Sequence, residues 1–152
     1  MHRLGRIAAL VVSILVVSAC AGSAATPVGP LVTVQLRGGE CFAPPCGMTV
    51  ILDRDGRVHG AAKPPNDLGT VPSDRLLDLV SLVATTDYAS IRSHPFTGQC
   101  PTAYDGQEIV YEFGAPSGIE RIATCEVDVD FGQPLLVAVS AALGPFIPLP
   151  TT

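Results

Sequence analysis

Residues 48–61 read MTVILDRDGRVHGA, and this stretch decides the fold. It contains two short strand-like segments, Met48 to Leu52 and Arg57 to Ala61, with Asp55-Gly56 in the link between them. Asp-Gly in that position predicts a β-hairpin, because Gly accepts the positive φ that the turn requires. An antiparallel hairpin is therefore the expected nucleus of the sheet.

Three further strands are predicted on either side of this hairpin. Apolar and polar residues alternate from Val32 to Arg37 and again from Glu108 to Phe113, which is the period of a half-buried strand. After a turn at residues 115–118, a fifth strand is predicted from Ile119 to Val129. The segment with Pro64, Pro65, Asn66, Asp67 and Gly69 is predicted to be a loop.

Two helices are expected. Ser73 is the predicted N-cap of the first, which has an apolar stripe at the i, i+3, i+4, i+7 spacing of a buried helix face. The stripe contains Leu76, Leu79, Val80 and Val83, and is widened by Leu77 and Leu82. The second helix is predicted from Pro134 to Leu143, with Gly144 as its C-cap.

The resulting order, β-β-β-α-β-β-α, predicts an α+β fold. We expect about five mostly antiparallel strands in hairpins, with two helices packed on one face and disulfides stapling the loops. Residues 31–144 are predicted to form a single domain. Residues 145–152 are predicted to be a Pro-rich tail, since they show no periodicity.

The N-terminus has the pattern of an export signal. Residues 1–6 contain two Arg and no acid, residues 7–17 are apolar apart from Ser13, and small residues follow. A positive segment, a short apolar segment and a small-residue cleavage site are typical of a signal peptide. Residues 1–19 are therefore predicted to be removed on export.

Val17-Ser18-Ala19-Cys20 stands at the end of that signal and resembles the lipobox of bacterial lipoproteins. The resemblance implies that Cys20 carries diacylglycerol and becomes the first residue of the mature chain. Residues 20–30 then act as a flexible tether. The expected location is the extracytoplasmic side of a cell membrane, which the protein contacts through the lipid on Cys20.

Charge narrows the possible partners. The segment after residue 19 has seven basic and fourteen acidic residues, a formal net charge of −7. Such a balance disfavours nucleic acid, whose binding depends on neutralising phosphates with Lys and Arg. We therefore expect no nucleic-acid partner, and an envelope protein is the expected kind of protein partner.

Four cysteines remain after Cys20, and export to an oxidising compartment predicts that they form disulfides. Cys41 with Cys46 would close a small loop, which leaves Cys100 to pair with Cys125. Four cysteines allow three pairings, so the connectivity stays open. A redox pair is the alternative interpretation of Cys41 and Cys46, but their spacing differs from that of thioredoxin-like sites. Zinc is disfavoured by the spacing of all four.

The chain also resembles a group of small exported bacterial domains whose function is not established. The shared features are Gly38-Gly39-x-Cys41 with Cys46 close behind, then a strand, Asp55-Gly56, another strand and a helix. The resemblance covers residues 31–144 and implies no catalytic residues.

The candidate binding loop lies between Cys41 and Cys46, and contains Phe42, Pro44 and Pro45. A rigid loop loses little freedom when a partner binds, and an aromatic ring is a frequent anchor. Three carboxylates, at Glu126, Asp128 and Asp130, are predicted to share one face of the fifth strand, which is interpreted as a solvated face rather than a Ca²⁺ site.

No catalytic residue, metal ligand or cofactor is predicted. His59, expected in a strand, and His94, before Pro95, have no spacing that supports a catalytic triad. The sequence therefore predicts a lipid-anchored, non-enzymatic binding or structural module. Two alternatives remain open. The first is an envelope enzyme or thiol-redox protein, and the second is a small-ligand or cation-binding lipoprotein.

Overall fold

The computed structural model describes residues 29–39 and 46–150. Within them the elements follow in this order: β1 (Val32–Gly38), β2 (Gly47–Leu52), β3 (Arg57–Gly60), β4 (Asp67–Thr70), α1 (Ser73–Thr85), α2 (Tyr88–Arg92), a short 3-10 helix (Pro101–Tyr104), β5 (Gln107–Ala115), β6 (Gly118–Ala123) and α3 (Pro134–Leu143).

The described strands form one antiparallel sheet in the order β4-β3-β2-β1-β5-β6. The hairpin predicted from residues 48–61 is confirmed as β2 and β3. Gly56 has a φ of +91° and donates to the Asp53 carbonyl at 3.1 Å. Because β1 pairs with both β2 and β5, it lies inside the sheet although it comes first in the chain.

The predicted α+β class, with its antiparallel hairpins and a disulfide staple, is confirmed, but the strand count needs correction. Asp67 to Thr70, predicted to be a loop, form β4 along the edge of β3, where Arg57 pairs with Thr70. These four residues, which include Gly69, show no alternation of apolar and polar side chains. Their extended conformation therefore depends on pairing with β3. One helix is also additional, the five-residue α2.

The fifth predicted strand is shorter than expected. It ends at Ala123, where the carbonyl of that residue accepts from the N–H groups of both Glu126 and Val127 at 2.9 Å. This turn takes the chain out of the ladder. Residues 126–130 therefore do not form a strand face, although their exposure still alternates.

Helices α1 and α3 pack on each other and complete the hydrophobic core. Helix α1 starts one position earlier than predicted, because Pro72 takes the cap position and Ser73 is the first helical residue. Leu79 and Val83 are buried, but Leu77 is 71% exposed and does not widen the buried stripe. Helix α3 begins at Pro134 and Gly144 is its C-cap, both as predicted.

The segment predicted to be a tail contributes to the core. Ile147 is only 1% exposed, and Phe146 and Leu149 pack against the same cluster. The Ser140 hydroxyl also donates to the Pro150 carbonyl at 3.1 Å. None of the helices within residues 29–39 and 46–150 has the length and apolar character needed to cross a membrane.

The two ends of the sheet differ in what they carry. At the end that we call the disulfide end, Gly38 of β1 pairs with Gln107 of β5, and the neighbouring Arg37 pairs with Gly47 of β2. Cys46 directly precedes Gly47 in the chain. At the other end, which we call the Leu31 end, Leu31 leads into β1. The seven residues of β1 separate the two ends by roughly 23 Å.

Candidate functional site

The disulfide between Cys100 and Cys125 organises the surface at the disulfide end. Its Cα atoms are 5.1 Å apart, and it joins residues 25 positions apart. The pairing expected between these two cysteines is therefore present. It ties the segment before the 3-10 helix to the turn that follows β6.

Backbone hydrogen bonds fix the same two segments further along. Phe96 N donates to the Glu126 carbonyl at 3.0 Å, and Asp128 N donates to the His94 carbonyl at 2.8 Å. These bonds flank an isolated antiparallel bridge between Pro95 and Val127. Residues 126–128 are thus held beside residues 94–96 without belonging to the sheet.

Thr124 anchors the start of this arrangement to β5. Its Oγ1 accepts from the N–H of Ile109 at 3.0 Å, and its own N–H donates to the Ile109 carbonyl at 3.0 Å. Two bonds to one residue leave little freedom at the turn. The segment after Thr124 therefore keeps a fixed position relative to the start of β5.

These contacts leave a groove of about 320 Å³ at the disulfide end, which we call the apolar groove. Its apolar walls are Phe96, Pro101, Ile109, Val127, Val129, Phe131 and Pro150. Gln107, Thr124 and Asp128 supply its polar groups. A concave, largely apolar surface with a few polar groups is the usual form of a binding site.

A second cavity, which we call the acidic cleft, adjoins the apolar groove and shares Asp128 and Val129 with it. It measures about 300 Å³, and its other lining residues are Ile91, His94, Asp130 and Gln133. The structure thus brings His94 close to two of the three carboxylates singled out from the sequence. Neither a hydroxyl nor a thiol side chain lines it among the described residues.

The three carboxylates have different surroundings. Glu126 forms an ion pair with Arg121 at 2.6 Å, which compensates its charge. Asp130 accepts from the N–H of Gly132 at 2.8 Å and so caps a turn. The Asp128 carboxylate accepts no hydrogen bond within the described part of the chain and is exposed. It is therefore the free anionic group where the groove and the cleft meet.

Residues 29–39 and 46–150 contain no group of three His, Cys, Asp or Glu side chains arranged to hold a metal ion. The prediction of a single strand face for Glu126, Asp128 and Asp130 was wrong, because the chain leaves the sheet after Ala123. All three residues are exposed to solvent.

His59 lies in β3, as predicted, on the opposite side of β1 from β5 and β6. Its Nε2 is 3.2 Å from Oδ2 of Asp53, and its Nδ1 is 3.1 Å from the Gly60 carbonyl oxygen. Both ring nitrogens therefore contact oxygen acceptors belonging to the β2–β3 hairpin. This arrangement ties the ring to its own hairpin.

Some of the sequence-predicted site lies outside the described residues. Cys20, Cys41, Phe42, Pro44 and Pro45 belong to this set. Cys46 is described and is disulfide-bonded. The described chain before the candidate loop ends at Gly39, where a Cβ would lie 2.9 Å from the Gln107 side chain, and Gln107 lines the apolar groove.

The apolar groove was not predicted from the sequence. One signal pointed toward it: Val127, Val129 and Phe131 alternate with the carboxylates, which indicates that one side of this segment is apolar. The contributions of Phe96 and Pro150 depend on tertiary contacts. No family model, no curated protein and no solved structure matches this chain.

Proposed function

We propose that this protein is a lipid-anchored binding module on the extracytoplasmic side of a cell membrane. Cys20, at the end of the export signal, carries the lipid, and the domain presents a binding surface to an envelope protein. The module is non-catalytic and binds no nucleic acid, in keeping with a formal net charge of −7 after residue 19.

One observation carries the proposal: the two ends of β1 face different surroundings. Leu31, where the segment from Cys20 joins the domain, lies at one end of the sheet, and the apolar groove lies at the other. The groove end of β1 is about 23 Å from the Leu31 end, where the proposed tether joins the domain. The groove therefore faces away from the tether and stays accessible while the lipid on Cys20 is in the membrane. The disulfide-bonded state of Cys46, Cys100 and Cys125 suits an oxidising compartment.

Intact mass of the membrane-extracted protein tests the anchoring. We expect loss of residues 1–19, added mass from acyl chains on the new N-terminal fragment, and loss of two hydrogens for each disulfide. A Cys20→Ser variant should be found outside the membrane fraction. Recovery of the full-length, unlipidated chain with free thiols would refute the proposal.

Site-specific photo-crosslinking in cells tests the binding role. A photoreactive residue at Gln107, which is exposed at the disulfide end, should form an adduct with an envelope protein. The matched control is the same residue at Leu77, which is 71% exposed on α1. Equal adducts from both positions, or none from Gln107, would argue against a binding surface at this end.

The loop with Phe42, Pro44 and Pro45 remains part of the proposed contact surface. Its described neighbours, Gly39 and Cys46, both lie at the disulfide end. Phe42→Ala should reduce the Gln107 adduct without lowering the melting temperature. A large fall in melting temperature would assign Phe42 to the core instead.

The acidic cleft favours a second candidate, an envelope enzyme that uses His94 as an acid or base. His94 and two carboxylates line this one cavity. The candidate requires a substrate that is turned over by the wild-type protein and not by His94→Gln, with both proteins melting at the same temperature. A broad screen of ester, amide and glycoside substrates without such a difference would favour the binding module.

A further inference from the structure

We infer that the apolar groove binds an extended peptide segment of a partner protein in which one apolar side chain stands between basic residues. This inference rests on the proposed binding function and specifies the chemistry of the partner. The occupant follows from the volume, the lining and the charge of the groove.

The size of the groove suits part of a peptide. A volume of about 320 Å³ lies at the lower limit for small-ligand pockets, so it accommodates one or two side chains rather than a larger molecule. Val127 and Ile109 are 6% and 8% exposed, so the apolar surface that water still reaches belongs mainly to Phe96, Pro101 and Phe131. A leucine or aromatic side chain placed against these walls would cover that surface.

The charge around the groove indicates what should flank that side chain. Asp128 lies at the junction of the groove and the acidic cleft, and Asp130 lines the cleft. Among the described residues, neither cavity is lined by Lys or Arg. A basic residue beside the apolar side chain would meet Asp128, whose carboxylate accepts no other hydrogen bond in the described part.

The groove is rigid enough for such recognition. The Cys100–Cys125 disulfide, the two bonds between Thr124 and Ile109, and the bonds between residues 94–96 and 126–128 hold its opposite walls. A preformed site has little conformational entropy to lose when the peptide binds. Gly39 and Cys46, which flank the proposed binding loop in the chain, lie at the same end of the sheet.

Titration of the full lipidated chain in detergent with three acetylated and amidated pentapeptides tests the inference. The probes are Ala-Arg-Leu-Arg-Ala, Ala-Arg-Ser-Arg-Ala and Ala-Glu-Leu-Glu-Ala, followed by NMR amide shifts at low salt. We expect the first peptide alone to shift the resonances of Phe96, Val127 and Val129. Asp128→Asn should weaken its binding about threefold, the effect of losing one exposed charge pair.

Asp78→Asn is the matched control, since Asp78 is an exposed carboxylate on α1, and it should leave the affinity unchanged. The inference is overturned if the three peptides bind alike, if the shifts map outside the groove, or if Asp128→Asn has no effect. It is also overturned if the Gln107 photo-crosslink joins two copies of this chain. An envelope-protein adduct together with peptide failure would leave the binding module standing and remove only this inference.

Discussion

Arg54 donates a hydrogen bond from Nη2 to the carbonyl oxygen of Gly114 at 2.5 Å, across 60 positions of the chain. Arg54 belongs to the turn between β2 and β3, and Gly114 belongs to β5. The bond therefore joins the β2–β3 hairpin to the β5–β6 hairpin near the first residues of β1. A Cβ at Gly114 would clash with the Pro30 carbonyl oxygen, which is backbone and cannot move aside, and would lie 2.7 Å from Nη2, so this position requires Gly. The turn residue is thus part of the tertiary structure as well as the hairpin.

Replacing Arg54 by Ala should lower the free energy of unfolding by about 2 kcal/mol, because a partly buried hydrogen bond from a charged donor is lost. Arg75→Ala is the matched control, since Arg75 also donates to a distant carbonyl, that of Ala141, but in an exposed position. That change should have little effect. Urea denaturation of both variants measures the difference, and equal losses would refute the role of Arg54.

The predicted tail gives a second test. Ile147→Ala should destabilise the domain by about 2–5 kcal/mol, because Ile147 is 1% exposed within the core. Ile119→Ala removes the same atoms from a side chain that is 71% exposed and should cost far less. Comparing the two by urea denaturation distinguishes a core residue from a tail, for which the two losses would be similar.

Removing the Cys100–Cys125 disulfide should also destabilise the domain. The double variant Cys100→Ser/Cys125→Ser opens a loop whose ends are 25 positions apart, and the loop-closure entropy lost corresponds to about 3.5 kcal/mol. The apolar groove should lose its fixed wall, so groove resonances should broaden in NMR spectra at temperatures where the fold persists. A variant as stable as the wild type, with sharp groove resonances, would contradict this prediction.

Acid stability should depend on Glu120. Hydrogen bonds from Arg92 and Ser117 hold the pKa of Glu120 below its ordinary value of 4.5. The stabilisation is therefore complete above that ordinary value and is lost as the pH falls through the lowered pKa in the folded state. Glu120→Gln should melt at a lower temperature than the wild type at pH 7, and the difference should shrink at low pH.

Asp78→Asn serves as the control for this series and should change the melting temperature little at either pH. A Glu120→Gln deficit that stays the same at both pH values would refute the proposed ionic contribution. Tyr88 and Tyr111 do not contribute to the change in stability at acid pH, because burial raises the pKa of both phenols above its ordinary value of 10.0.

Calcium should not stabilise the domain. Glu126 is paired with Arg121, Asp130 caps a turn, and the described residues hold no three-ligand group. We therefore expect the same melting temperature with excess Ca²⁺ as with a chelator. A calcium-dependent rise that disappears in an Asp128→Asn/Asp130→Asn variant would instead support the cation-binding alternative.

The sequence predicted the elements whose pattern is local. The Asp55-Gly56 hairpin, Pro134 at the start of α3 and the buried positions Leu79 and Val83 all follow from turn chemistry or helical period. Strand β4 was missed because Asp67 to Thr70 gain their conformation from β3. Residues 126–130 do alternate in exposure, yet they form no part of β6. A period of two in the sequence does not show whether a neighbouring strand is there to pair with.

The candidate site was harder to predict from the sequence, because it too depends on contacts between distant segments. Alternation revealed the apolar side of residues 127–131, yet Phe96 and Pro150 reach the groove only through tertiary contacts. His94 likewise comes beside Asp128 through a backbone pairing between distant segments. Long-range pairings of this kind leave no periodic pattern in the residues that make them.

The interior position of β1 affects how the domain would resist mechanical load. The strand that follows the proposed lipid attachment is hydrogen-bonded on both flanks, to β2 and to β5. A partner pulling at the opposite end of the sheet would stretch β1 along its own axis. All of its interstrand bonds would then share the force at once, whereas an edge strand pulled sideways would unzip one bond after another.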